Sequence, residues 1–229
     1  MTIRGILFDK DGTLFDFQAT WGAWSAGLIR GLARDAGHAA ALAEALAFDL
    51  VTERFRPESA VIAGTPDEAT ELLHPLLPDW SRAALQRHLI ETTLDAPQAE
   101  PVPLVPLMDR LRKAGLTLGV ATNDAEVPAR AQLQGAGIAE AFAFVAGYDS
   151  GFGAKPAPGM QAGFLAATGL AAGEVAMVGD STHDLLAGRA AGMATVAVLT
   201  GPAGAETLAP HADAVLPDIS HLPAWLGLA

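Results

Sequence analysis

The sequence predicts an α/β fold, a doubly wound parallel sheet with a helical segment inserted near its N-terminal end. Short apolar runs of strand length recur along the chain, and the later ones are separated by segments of helix length. Residues 17–97, by contrast, contain no convincing β run. Alternating strand and helix patterns mark βαβ units, whose parallel sheet is covered on both faces.

The first run is Gly5-Ile6-Leu7-Phe8, and it ends in a polar loop. Residues 17–97 then read as successive amphipathic helices. Trp21, Trp24, Leu28 and Leu32 recur at steps of three and four, which places them on one helical face. Thr65-Pro66-Asp67-Glu68 is a capping box with proline at the first helical position, opening a helix that carries Leu72, Leu73, Leu76 and Leu77. A further helix over residues 83–93 has Leu85, Leu89 and Ile90 along one side. The Trp and Leu stripes read as packing rather than ligand contacts. Pro97, Pro101, Pro103 and Pro106 mark the linker back to the sheet. Strands are expected over residues 116–121, 143–146, 175–178 and 195–199, with helices over 127–134 and 159–167. The weak run Ala214-Val215-Leu216 and the tail from Leu222 to Leu228 are expected to complete the edge of the sheet. The expected organisation is a core of residues 1–16 and 98–229 around a helical domain of residues 17–97.

Composition narrows the functional classes. The chain has 229 residues, enough for one large domain or a core with an insertion. Its formal charge of -12 would repel a phosphate backbone, which argues against nucleic acid. With 51% hydrophobic and 17% charged residues it can bury a sizeable core. The absence of cysteine removes disulfides, thiolate metal sites and a cysteine nucleophile. No uninterrupted apolar span and no export signal are read, so no membrane partner is expected and the cytosol is the expected location.

Four polar clusters fall where open α/β sheets build their sites, past the carboxyl ends of strands. They are Asp9-Lys10-Asp11-Gly12-Thr13, Thr122-Asn123-Asp124, Lys155-Pro156 and Gly179-Asp180-Ser181-Thr182-His183-Asp184. A loop that turns back after Asp9 can aim Asp9 and Asp11 into one crevice, where one carboxylate serves as nucleophile and its neighbour shuttles a proton. At an effective dielectric near 20, like charges about 4 Å apart cost roughly 4 kcal/mol. Asp9, Asp11 and Asp180 therefore converge only around a hard cation, for which Mg²⁺ is the usual choice. Thr122 and Asn123 supply a hydroxyl, an amide and backbone donors suited to phosphate oxygens, or to capping the next helix. Lys155, one of three lysines with Lys10 and Lys113, lies between glycines and a proline, an unusual setting for a surface lysine. Lys10 is expected to point to solvent, and His183 to sit on the surface at a helix start.

In this order and spacing the clusters resemble the motifs of the haloacid dehalogenase superfamily: a DxDGT loop, a strand-ending Ser or Thr, a Lys before Pro and a GDSxxD loop. The helical insertion after the first motif resembles the capped subfamily that includes phosphoglycolate phosphatases and β-phosphoglucomutases. The resemblance implies a Rossmann-like core and a phosphatase acting on a small phosphorylated metabolite such as phosphoglycolate or a sugar phosphate. It implies that Asp9 is the nucleophile and metal ligand, that Asp11 is the general acid and base and binds metal through its carbonyl, and that Asp180 is a further ligand with Asp184 behind it. Thr122, Asn123 and Lys155 would bind the phosphoryl group, and Mg²⁺ is the implied cofactor. Asp11 argues against dehalogenase activity, and the absence of lysine between Gly12 and Arg112 argues against Schiff-base chemistry. A phosphomutase and a non-catalytic binding module remain as alternatives. Within the insertion, Arg54 and Arg56 are the expected partners for a substrate carboxylate or second phosphate.

Overall fold

In the computed structural model, which describes residues 2–228, the chain begins with β1 (Gly5–Phe8) and then leaves the sheet for a long excursion. The excursion comprises α1 (Phe17–Leu32), α2 (Ala36–Ala45), β2 (Phe48–Asp49), β3 (Arg54–Phe55), α3 (Pro66–Leu73) and α4 (Arg82–Thr92). The chain returns through α5 (Leu104–Lys113), β4 (Thr117–Ala121), α6 (Glu126–Gly135), β5 (Phe142–Ala146), α7 (Gly159–Thr168), β6 (Val175–Gly179) and α8 (Thr182–Ala190). It ends with β7 (Ala194–Val198), α9 (Ala205–Leu208), β8 (Ala214–Leu216) and α10 (Leu222–Trp225). Six strands pair in the order β5-β4-β1-β6-β7-β8, every neighbour parallel.

β1 is central and its residues are buried on both faces, which is why it reads as a continuous apolar run. Ile6 and Phe8 join Val120 and Val178 on one face, beneath Leu107 and Leu111 of α5. Leu7 joins Met177 on the other, beneath Met160 and Phe164 of α7. The alternation along one short strand therefore knits two helical layers to one sheet.

The insert has its own apolar centre, built from Trp21 and Ile29 of α1, Leu42 of α2, Leu73 of α3 and Leu85 and Leu89 of α4. α3 starts as its sequence dictates, with Thr65 and Glu68 forming the reciprocal capping box and Pro66 in the first turn.

Three local expectations differ from the structure. The insert is not purely helical, since Phe48 and Asp49 pair antiparallel with Phe55 and Arg54. That ribbon is too short to leave an apolar alternation in sequence. The tail from Leu222 adds no strand; it turns as α10 and packs Leu222 and Trp225 against the core. Pro106 lies inside α5 rather than in the linker, within the first turn, where a missing backbone donor costs nothing. No helix among the described residues is long and apolar enough to cross a membrane.

Candidate active site

The sheet order reverses at β1, with β4 on one side and β6 on the other, so the loops beyond these strands open a crevice. Asp9, Thr122 and Asp180 are the first residues past β1, β4 and β6. Lys155 reaches them from the loop between β5 and α7, with its Nζ 2.5 Å from Asp9 Oδ1, 2.6 Å from Asp184 Oδ1 and 2.8 Å from the Ala121 carbonyl. The Asn123 side chain clamps the backbone of that loop, accepting from the Lys155 N–H at 2.8 Å and donating to the Lys155 carbonyl at 2.9 Å. The Lys155–Pro156 peptide is cis.

Asp9, Asp180 and Asp184 each offer a carboxylate oxygen, all within 4.8 Å of one another and all buried. Burial, followed by the charge of Asp184, pushes Asp9 up to about 7 against the pull of Lys155. Burial and then Asp9 and Asp184 hold Asp180 well above the ordinary aspartate range. Burial opposes the charge on Lys155, but Asp184 and Asp9 outweigh it and raise its pKa. One ammonium thus faces three clustered carboxylates, and the surplus negative charge is what a hard divalent cation with oxygen ligands relieves. Asp184 already gives Oδ1 to Lys155 and Oδ2 to the N–H and hydroxyl of Ser181 at 3.1 and 2.7 Å. Close backbone leaves room for Asp180: a Cβ on Gly201 would lie 1.6 Å from its Oδ2, and one on Gly12, which has φ 85°, 2.2 Å away. The donor set and its cradle therefore fit Mg²⁺.

Asp11 is held differently. Lys10 Nζ lies 2.7 Å from its Oδ2, and the Trp21 indole N–H donates to Oδ1 at 2.9 Å. Lys10 is wholly buried, which corrects its expected place in solvent. Its ammonium also meets Gln132 Oε1 at 2.5 Å and Asp124 Oδ2 at 3.3 Å, and stands 5.3 Å from the centre of the Trp21 ring. Burial works against that charge, but Asp11 and Asp124 outweigh it and raise the lysine pKa. Burial raises Asp124 in turn, partly offset by Lys10. Sequence reasoning missed Lys10, whose partners Gln132 and Asp124 lie far along the chain, and Trp21, which reads as one of a helical apolar stripe. The available signal was the apolar flank of Lys10, Ile6-Leu7-Phe8 before it and Leu14-Phe15 after.

A cavity of about 130 Å³ runs from Asp9, Asp11, Thr122, Asn123, Lys155 and Asp180 into the insert. Six of the sequence-predicted site residues thus line one cavity, and Asp184, clustered with Asp9 and Asp180, stands behind its wall on Lys155 and Ser181. Asn123 lines it too, although its amide is engaged by Lys155 and by the Ala63 carbonyl at 2.9 Å. Arg54 and Arg56 do not line the cavity. Arg54 is exposed on β3, and Arg56 pairs with Glu44 and Glu58, each at 3.0 Å. Glu58, close in sequence, and Glu44 of α2 hold Arg56 outside the cavity. His183 is half-buried, with Nδ1 3.2 Å from the Ala63 carbonyl, and so faces the insert rather than open solvent.

The model of the haloacid dehalogenase-like hydrolases matches residues 3–192. A phosphoglycolate phosphatase of Rhodospirillum rubrum is 37% identical over 121 residues, a match covering 53% of this chain and 50% of that one, so the chain spans about half the length of that relative. A phosphoglycolate phosphatase of Yersinia pseudotuberculosis is 30% identical over 236 residues, covering 99% of this chain and 94% of that one. The crystal structure of a predicted phosphoglycolate phosphatase from Haemophilus somnus 129PT superposes with a TM-score of 0.73 at 18% identity, covering 98% of both chains. With its sheet order, its cluster of acids around Lys155 and a family match over most of its length, the chain belongs to the haloacid dehalogenase-like hydrolases.

Proposed function

We propose that the protein is a Mg²⁺-dependent phosphatase that hydrolyses a small phosphate monoester through an aspartyl-phosphate on Asp9. The observation that carries this reading is the convergence of Asp9, Asp180 and Lys155 in the wall of a cavity that Asp11 also lines. Residues 17–97 act as a cap on the core of residues 1–16 and 98–229. Asp9 and Asp180, with the carbonyl of Asp11, hold the metal, which when bound offsets the negative charge of the phosphoryl group and of its acidic ligands.

The Asp9 carboxylate attacks phosphorus as the bond to the leaving oxygen breaks, and Asp11 gives that oxygen its proton. Asp11, now ionised, takes a proton from water, and the resulting hydroxide attacks phosphorus to release inorganic phosphate and restore Asp9. Lys155, the Thr122 hydroxyl and the backbone N–H of Asn123 hold the phosphoryl oxygens, while Asp184 fixes the Lys155 ammonium. Positioning and charge stabilisation supply most of the catalysis in such transfers.

The test is phosphate release from a panel of esters with Mg²⁺ or EDTA, with phosphoglycolate included because relatives carry that name. Release is expected with Mg²⁺, and loss to background is expected in EDTA and in Asp9→Asn. Persistent release by Asp9→Asn would remove Asp9 as the nucleophile.

A further inference from the structure

The phosphatase reading fixes one end of the substrate, and the wall of the cavity carries information about the other. Beyond the acids and Lys155 the cavity continues against Trp24, Leu28, Leu46, Val61, Leu73 and Leu89, side chains contributed by the insert. No insert residue lining it is charged. None of the insert's six arginines lines it, and three are paired elsewhere: Arg30 with Glu53, Arg56 with Glu44 and Glu58, and Arg82 with Glu71. The polar tip of Trp24 is also occupied, donating to the Thr92 carbonyl at 2.9 Å, so the ring presents only its apolar body.

We infer that the leaving group this protein selects is apolar and uncharged: the substrate is a phosphate monoester of a short aliphatic alcohol rather than phosphoglycolate or a sugar phosphate. This inference rests on the phosphatase reading above. An unpaired carboxylate against this wall would lose its hydration without meeting a cation, and a sugar's hydroxyls would lose theirs with few partners in exchange. An alkyl chain, by contrast, gains from leaving water. The whole cavity measures about 130 Å³ and must seat the phosphoryl group at its acidic end as well, so the leaving group it admits is short. The reaction consumes one ester R–O–PO₃²⁻ and one water and gives R–OH and inorganic phosphate, with R seated in the insert.

The experiment compares kcat/KM for ethyl, propyl and butyl phosphate, phosphoglycolate and glucose 6-phosphate in the presence of Mg²⁺. Acetyl phosphate is included as a donor whose reactivity needs little recognition of the leaving group. The alkyl series holds the leaving-group chemistry nearly constant, so its slope reads burial alone. A rise of roughly three- to four-fold per added methylene is expected, with butyl phosphate ahead of phosphoglycolate. Leu28→Arg is expected to flatten that slope and to raise phosphoglycolate relative to butyl phosphate, with far-ultraviolet circular dichroism reporting whether the variant is folded. If the variant does not fold, the wild-type slope still decides. A flat alkyl series, or phosphoglycolate or glucose 6-phosphate ahead of butyl phosphate, would overturn the inference and leave the phosphatase reading standing. No release from any compound, acetyl phosphate included, would overturn both.

Discussion

Lys10 has no exposed surface, yet it carries its charge between two carboxylates, with Gln132 and the face of Trp21 completing its surroundings. A buried pair that loses one partner leaves the other uncompensated, at a cost of about 3–5 kcal/mol. Lys10→Met keeps the bulk and removes the charge, so the unfolding free energy obtained from urea denaturation should fall by an amount in that range. Adding Asp124→Asn should return part of the loss, because the two residues share one interaction. Gly201 makes a second prediction at this scale. An alanine there places its Cβ 1.6 Å from Asp180 Oδ2, and the carboxylate must move. The Mg²⁺ concentration for half-maximal phosphate release by Gly201→Ala should rise by about ten-fold or more, the usual consequence of misplacing a ligand. An unchanged requirement would mean that Asp180 does not hold the metal.

Among elements, α3 shows how a local sequence signal reaches the cavity. Its capping box closes the first turn, and Thr65, Pro66, Ala69 and Leu73 then line the cavity wall. Thr65→Ala removes the side-chain acceptor of the Glu68 N–H and should destabilise the protein by about 1 kcal/mol in denaturant unfolding. Signals of this local kind made most of the fold legible. β1, β4, β6 and β7 appear as apolar runs because inner parallel strands are buried on both faces, and α3 and α8 carry their own caps. What escaped was decided by partners distant in sequence or by elements too short to have a period. The β2–β3 ribbon pairs two residues with two. The tail has strand-like composition but is free of the sheet, and packs its apolar residues as a helical turn instead. At the site, Asp9, Asp11, Thr122 and Asp180 were legible because each follows or closely trails a strand, and Lys155 because it lies between glycines and a proline. Trp21 reads as one more member of a helical apolar stripe, and only the fold brings its indole N–H to Asp11. Arg56 looks available in sequence, and only the fold brings Glu44 to it.

At the scale of the whole molecule, the insert rests on the core at several points. Asn123 and His183 both meet the Ala63 carbonyl, Gln132 donates to the Thr93 carbonyl at 3.0 Å, and Trp21 donates to Asp11. Tyr148, on the loop after β5, donates to Asp67 of α3 at 3.2 Å and accepts from Gln86 of α4 at 3.3 Å. Burial, opposed by Gln86 and reinforced by Asp67, pushes the Tyr148 phenol up to about 12. The neutral form is therefore favoured in the folded state. Between the ordinary tyrosine value of about 10 and that raised value, the unfolded chain sheds a proton that the folded chain keeps. The contribution to stability is accordingly complete below about pH 10 and declines as pH rises toward 12. Because the chain contains a single tyrosine, the ultraviolet absorbance of tyrosinate reports this contact directly. At about pH 11 the phenol should be largely neutral in the native protein and largely ionised in urea. Asp67→Asn should lower the native midpoint, since it removes the facing negative charge. Coincident midpoints with and without urea would mean that Tyr148 is exposed in solution, and hence that the insert stands away from the core along this edge.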